Sequence, residues 1–382
     1  MLRYAIAQPY FPPADIEAIL AQFRTILEGQ CFLSMGDRVV EFENAFARYA
    51  GAPYAVGTSS CSAALEIAFR AIGIENGDEV IVPAETFIAT GSSVLREGGT
   101  VVFAEINPET FCLSAGDVEE KLTGKTKAVV IVHMAGLITP EVHAIRQLCN
   151  SRGIFLIEDA AHAPGAMLNG RKAGTFGDIA CFSFYPTKVM TTAEGGMLVT
   201  SIPEFYDKAK SLRNRGVQYE HGREVYRFLG SNNRMNEFAA ILGLSQLRQL
   251  DGFIEKRNRI AAIYTDALLS DHGREHAWPL KCPAEARHSY WRYIVRLSDV
   301  INRDELRASM LAEGVAIDWA YDPPLHLQPL FVDRYKTQPG MLPVTESAMQ
   351  HFVCLPMHVC LEQDDAEFIV QAFKRCIEKI VE

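Results

Sequence analysis

The stretch FSFYPTKVMTTAEGG, residues 182–196, sets a lysine in unusual company. Lys188 follows a strand-like apolar run and precedes small residues ending in Gly195–Gly196, a setting closer to a strand edge and tight loop than to the solvated face a lysine normally occupies. Partial desolvation in such a loop lowers a lysine's pKa, and the neutral amine is then a nucleophile toward carbonyls. Ser183, five residues earlier, adds a hydroxyl inside the strand-like run.

Three further stretches carry groups able to share a site with that lysine. In GTSSCSAAL, residues 57–65, small hydroxyl residues stand between a strand and a helix. Backbone N–H groups, hydroxyls and the helix dipole at such a junction suit a phosphate, and a simple serine N-cap accounts for the same residues equally well. In FLIEDAAHAPGA, residues 155–166, Asp159 lies just past three apolar strand residues. A carboxylate there either pairs with a cationic ligand, such as a protonated ring nitrogen, or caps the next helix. His162 is either a contact to the same ligand or a satisfied core histidine. FLGSNNRMNEFAA, residues 228–240, gathers three asparagines and Arg234 ahead of a long helical pattern, which a capped turn also explains. An anion cradle, a carboxylate for a ring nitrogen and a Schiff-base lysine are together what pyridoxal phosphate requires.

The elements that must position these groups follow from hydrophobic patterning. YAVGTSS, DEVIVP, TVVFAEI, AVVIVHMAG and IFLIEDAAH are short apolar runs closed by polar or small residues, with the helical patterns SAALEIAFRAI, ATGSSVLREG and TPEVHAIRQLCNSRG between them. Continuous apolar strands alternating with helices indicate an α/β fold, with a mostly parallel sheet covered on both faces and ligands at the strands' carboxyl ends. Residues 236–269 read as a long helix with possible breaks at Gly243 and Gly252. It leads to a smaller α+β domain, so the expected division is a large domain over 1–250, with the segment 1–15 included, and a small one over 251–382. In the latter, YWRYIVRL reads as a strand, RDELRASMLAEG as a helix closed by Gly314, and DDAEFIVQAFKRCIEKI as a final amphipathic helix. The Pro-rich YDPPLHLQPLF, residues 321–331, suits a pocket-lining loop.

Bulk composition narrows the function classes. The 382-residue chain has 48% hydrophobic and 22% charged residues, ordinary globular values with room for two domains. A net charge of −10 argues against nucleic-acid and anionic-membrane partners. The nine cysteines form no CxxC pair and no zinc-ligand spacing, as expected of reduced thiols in a cytoplasmic protein. No signal peptide or membrane span is expected from the apolar runs.

In order and spacing, these stretches resemble the DegT/DnrJ/EryC1/StrS family of sugar aminotransferases, fold-type-I enzymes that use pyridoxal 5'-phosphate. The likeness extends from about Ile16 to the end of the chain and is densest over IEDAAHAPGAMLNGRKAGTFGDIACFSFYPTKVMTTAEGGMLVT, residues 157–200, with PAETFIATGSSVL, LRNRG and GSNNRMNEFAAILGLSQL adding to it. The resemblance implies that Lys188 forms the Schiff base, Asp159 holds the pyridine nitrogen protonated, His162 lies near the phenolic oxygen and Phe87 stacks on the ring. Ser183, Cys61 and Ser62 match phosphate ligands. Asn232 matches an asparagine that reaches the phosphate from the neighbouring subunit, which implies a homodimer with shared active sites. Arg215, Tyr321 and His326 are the candidate substrate contacts. Three departures stand out: Cys61 where Gly is common, Arg215 where His is frequent, and Ala193 where Gly is usual. The implied reaction moves an amino group from L-glutamate to a keto-sugar, foremost a nucleotide-linked 4-keto-6-deoxyhexose, with a 3-keto sugar or cyclitol ketone as alternatives. A sugar dehydratase, in which the lysine is typically replaced by His, and a non-catalytic regulator are the remaining readings.

Overall fold

The computed structural model describes residues 2–29, 32–270 and 275–382. The apolar runs between Tyr54 and Thr200 pair into one seven-stranded sheet, ordered across its width as Tyr54–Thr58, Gly196–Thr200, Ile179–Ser183, Phe155–Asp159, Thr126–Val132, Glu79–Pro83 and Thr100–Ala104. Neighbours are parallel except for Gly196–Thr200, which runs against both strands beside it. The unbroken apolar character of the strands has a direct cause. Val129 and Ile131 face one core while Ala128 and Val130 face another, and Ile81 is likewise opposed by Val80 and Val82. Helices Cys61–Ala71, Ile88–Arg96 and Pro203–Arg213 cover the second face, and Asp37–Ala50 and Val142–Arg152 the first. With both faces buried, period-two alternation brings no alternation in polarity.

Residues 237–269 form one helix, Glu237–Leu269, whose start is capped by Asn236 accepting from the Ala239 N–H at 2.9 Å. Neither glycine interrupts it. Gly243 is instead a packing residue: a Cβ there would come within 2.5–2.9 Å of three ring atoms of Phe42. Phe42 in turn packs against Phe46 and Phe184 at centroid distances of 6.1 and 5.4 Å, so the missing side chain lets the long helix close on helix Asp37–Ala50 and on the segment that leads to Lys188. Gly252 is exposed, with nothing within 4 Å of an added Cβ.

The same helix passes from one core to the next. Leu250 and Ile254 belong to the sheet's core, and Ile260, Tyr264 and Leu268 to a second core formed with strands Ala277–Pro279, Tyr293–Leu297 and Phe352–Leu355 and helices Arg303–Ala312 and Gln363–Val381. The amino-terminal segment touches both cores: Tyr4 bridges to Val315, packs in the second core and donates its hydroxyl to Asp365 at 2.9 Å, whereas Tyr10 and Asp15 accept from Gln246 and Ser245 in the first half of the long helix. The strand in YWRYIVRL begins only at Tyr293, and the Pro-rich stretch turns helical at its end, in Pro329–Tyr335. Cys31 lies outside the described residues; the cysteines within them are free thiols.

The two helical glycines should respond to alanine with opposite signs. Gly252→Ala is expected to raise stability by about 1 kcal/mol through helix propensity alone. Gly243→Ala is expected to lower it by about 1–3 kcal/mol, because overpacking against Phe42 outweighs the same gain. Urea unfolding midpoints of the two variants against the parent chain check both.

Candidate active site

The carboxyl ends of the central strands open on a cavity of about 540 Å³. Its walls include Cys61, Ser62, Phe87, Asp159, His162, Ser183, Lys188 and Tyr321, so most of the residues singled out from the sequence converge in one place. Arg215 and His326 do not line it. Arg215 is exposed in a left-handed backbone conformation, φ +62, beyond helix Pro203–Arg213. His326 is buried beside Phe103, hydrogen-bonded through Nε2 to Glu346 at 3.0 Å, because the Leu325 N–H bonds to Ala84 and turns that segment into the apolar core. Asn232 is exposed, bridges to Asn214 and does not line this chain's cavity.

The floor of the cavity is the start of helix Cys61–Ala71. Ser60 is its N-cap, in extended backbone, accepting from the Ala63 N–H at 3.1 Å, and Thr58 fixes the turn by donating to the Ser60 carbonyl at 2.9 Å. The serine cap is therefore present, and it leaves the first helical N–H groups beside it available to an anion. Cys61 takes ordinary helical angles, so this turn does not need the glycine. Glycine is needed opposite, where a Cβ on Gly196 would fall within 2.4–2.6 Å of Ser60 and Cys61 backbone atoms. The polar stretch 228–240 braces the turn from outside, with the Ser59 N–H bonded to the Asn233 carbonyl at 2.9 Å and Arg234 bridged to Thr58.

Asp159 ends strand Phe155–Asp159. Its Oδ2 accepts from Thr90 at 2.8 Å and its Oδ1 from the Ala161 N–H at 3.2 Å. Burial pushes the carboxyl above its ordinary range despite these bonds and the nearby charge of Lys188. Such a carboxylate gains most from a cation brought into the cavity. His162 stacks on Trp291 at 3.8 Å and shares a hydrogen bond with the Tyr321 hydroxyl at 2.9 Å through Nε2. Burial, reinforced by Lys188, Arg292 and His133, holds it neutral, and its buried Nδ1 has no partner among the described residues.

Lys188 sits in the loop after strand Ile179–Ser183. The strand is one residue past the opening of FSFYP when it stops, and Ser183 is its last residue. The Lys188 N–H bonds to the Tyr185 carbonyl at 2.9 Å, and Trp291 anchors the loop by donating from Nε1 to the Thr187 carbonyl at 3.0 Å. The Lys188 ammonium lies 4.1 Å from the centre of the Trp291 ring. Burial lowers its pKa to about 8, Arg292 adding to the effect and Asp159 and Cys61 opposing it. Ala193, further along, is held at φ +66, the left-handed region that glycine occupies without strain.

These residues fit pyridoxal phosphate. The helix start and Ser183 offer donors to a phosphate, Asp159 lacks a full-strength cation, the half-exposed Phe87 ring forms a wall, and the orphaned His162 Nδ1 is free for a polar group. Sequence reasoning missed Thr90, Trp291 and Arg292. The threonine was legible as a hydroxyl one helical turn from Thr86, with which it is hydrogen-bonded at 2.8 Å. Trp291 and Arg292 were hidden by reading YWRYIVRL as all strand. Among the described residues no His, Cys, Asp and Glu cluster could hold a metal ion, and no helix is long and apolar enough to cross a membrane.

The sequence model of the DegT/DnrJ/EryC1/StrS aminotransferase family matches residues 13–374. The chain is 34% identical over 349 residues to the GDP-perosamine synthase of Escherichia coli O157:H7, covering 91% of this chain and 92% of that protein. It is 33% identical over 369 residues to the UDP-N-acetyl-3-dehydro-alpha-D-glucosamine 3-aminotransferase of Acidithiobacillus ferrooxidans, covering 96% of each. The crystal structure of the aminotransferase TlmJ from Streptoalloteichus hindustanus superposes with a TM-score of 0.90 at 30% identity, covering all of both chains.

The lowered pKa of Lys188 is open to direct titration. In cofactor-free protein, acetic anhydride competes only for neutral amines, so labelling of Lys188 followed by mass spectrometry should rise with a midpoint near pH 8. Exposed lysines should rise about two pH units higher.

Proposed function

The chain belongs to the DegT/DnrJ/EryC1/StrS aminotransferase family, and from that premise we propose that it moves an amino group from L-glutamate to a nucleotide-linked keto-sugar, with Lys188 and Asp159 as its catalytic residues. The observation that carries the reading is the convergence of Lys188, Asp159 and the Ser60-capped helix start on one cavity. Bound pyridoxal phosphate supplies an aldehyde that captures amines and a ring that draws electrons from the carbon beside the captured nitrogen.

The chain's own residues set the rest. Cys61 and Ser62 at the helix start, with Ser183, hold the phosphate. Phe87 would pack on the ring, and His162, kept neutral and pinned by Trp291 and Tyr321, would orient its polar edge. Asp159 would hold a positive charge at the ring nitrogen: a buried carboxylate short of cationic partners stabilises that charge, which in turn draws the negative charge developing at the reacting carbon. Lys188 anchors the cofactor at rest. With the substrate amine in its place, the Lys188 Nζ would be free to hold and move the proton of the carbon beside the transferred nitrogen, a task suited to an amine with a pKa of about 8.

For the acceptor, a 4-keto-6-deoxyhexose linked to a nucleotide is the first candidate, in keeping with the E. coli relative's GDP-linked amino sugar. A 3-keto sugar is the second, favoured by the A. ferrooxidans relative, which acts on a 3-dehydro sugar. The exposed Asn232, outside its own chain's cavity, supports a homodimer in which it completes the partner's phosphate site.

Borohydride reduction of the holoenzyme should leave a pyridoxyl tag on Lys188, and Lys188→Ala should lose the tag and at least about 100-fold in turnover, the share a general base contributes. Asp159→Asn should keep cofactor but lose about 100- to 1000-fold in turnover. A glutamate-dependent screen of 3-keto and 4-keto nucleotide sugars, read by mass spectrometry, identifies the acceptor. Near-normal turnover of either variant would overturn the assigned roles.

A further inference from the structure

We propose that Arg292 is the residue that receives a carboxylate of the reacting substrate. The inference rests on the aminotransferase reading above and adds to it the chemical class of group that the cavity recognises beside the amine.

Arg292 lines the same cavity as Lys188 and is only 6% exposed. It lies just before strand Tyr293–Leu297, and the adjoining Trp291 backbone is fixed by a 2.7 Å bond from its N–H to the Ala135 carbonyl. An arginine cannot shed its charge and carries five N–H donors. Here Nε and Nη1 are buried without any partner among the described residues, and Nη2 meets Asp318 only at 3.5 Å. The Asp318 side chain is 41% exposed, so water competes for that contact. A structural ion pair would leave fewer donors idle. A buried cation so loosely matched is costly unless an anion joins it, and each idle nitrogen shares an edge of the planar fork with Nη2, whose second hydrogen Asp318 does not take, so one edge can meet the two oxygens of a carboxylate.

The location points to the substrate. The Arg292 guanidinium carbon is 4.7 Å and the Lys188 ammonium 4.1 Å from the same Trp291 ring centre, so the two cations lie within about 9 Å of each other. In glutamate the amine and distal carboxyl carbon are four bonds apart, a reach of about 5 Å. A substrate whose nitrogen reacts where Lys188 stands can therefore place a carboxylate on Arg292. The influence of Arg292 on Lys188, His162 and Tyr321 agrees with such proximity. The carboxylate belongs either to the amino donor or to an acidic keto-sugar acceptor, and experiment separates the two.

The probe for the donor is glutarate, which has glutamate's carboxylates and no amine, titrated by calorimetry into wild-type, Arg292→Met and Arg292→Lys holoenzymes. Donor recognition predicts that Arg292→Met weakens glutarate binding and raises the half-saturating L-glutamate in single-turnover mixing by about tenfold or more, with the limiting rate changed far less. Arg292→Lys should recover part of the loss. Acceptor recognition predicts unchanged glutarate binding and a tenfold rise in half-saturation for keto-uronic sugars but not for neutral ones. Affinities for glutarate and both sugar classes within twofold of wild type would overturn the proposal, as would a loss confined to nucleoside diphosphate binding. The pyridoxyl tag on Lys188 reports that each variant is folded and loaded. Failure of the aminotransferase reading would show instead as absence of that tag in the wild type.

Discussion

One buried carboxylate holds the cavity end of the sheet together. Glu158 carries a charge into the middle of an apolar core, where burial alone would drive its pKa up. It stays below the ordinary range because His133 meets it at 2.8 Å and the N–H groups of Gly174, Phe176 and Gly177 converge on it at 2.6–2.7 Å. That network ties the end of strand Phe155–Asp159 to the residue after strand Thr126–Val132 and to the turn before strand Ile179–Ser183. The His133 N–H closes the frame on the Asp159 carbonyl at 3.1 Å. Strand alternation then places the next side chain, Asp159, on the opposite face, toward the cavity. Two consecutive acids thus have opposite fates: one is saturated and structural, the other under-satisfied and available.

The under-satisfaction recurs around the cavity and has one source. Lys188, Asp159 and His162 are all displaced from their ordinary pKa values chiefly by burial, each in the direction that disfavours its charged form. A cationic ring and an anionic phosphate would answer these deficits with complementary charge. The proposed phosphate end would rely least on side chains, because a helix start offers its donors from the backbone. This explains how Cys61 can replace a glycine there at no conformational cost, whereas Gly196, pressed against the Ser60–Cys61 backbone, has no substitute.

Most of the sheet and cradle was legible in the sequence because both depend on local pattern. Apolar runs closed by polar or small residues marked the parallel strands, and GTSSCSAAL announced a helix start. What escaped notice depended on contacts distant along the chain. Gly243 and Gly252 are the same residue in the same helix, and only the ring of Phe42, two hundred residues away, makes one of them a packing device. Tyr4 could not declare its attachment to Val315 and Asp365. His326 was drawn out of the cavity by a backbone bond to Ala84, and nothing local to Glu158 marked it as the acid that His133 and three N–H groups would saturate. Position along a strand is written locally, but satisfaction of a buried polar group is not.

This separation bears on how the fold divides its labour. The groups proposed to handle the cofactor come from strand ends and helix starts of the large sheet, whose geometry two buried cores fix. Trp291, Arg292 and Tyr321 come from beyond the long helix, and they form the wall facing those groups. Trp291 links the halves: it donates to the lysine loop, stacks on His162 and carries both Lys188 and Arg292 over its ring. A change in the C-terminal segment can therefore alter which substrate groups are met without disturbing the strand-end acid or the phosphate cradle. The sheet can thus fix the groups proposed to handle the cofactor while the segment facing it supplies the contacts to the substrate, and Arg292 sits in that segment.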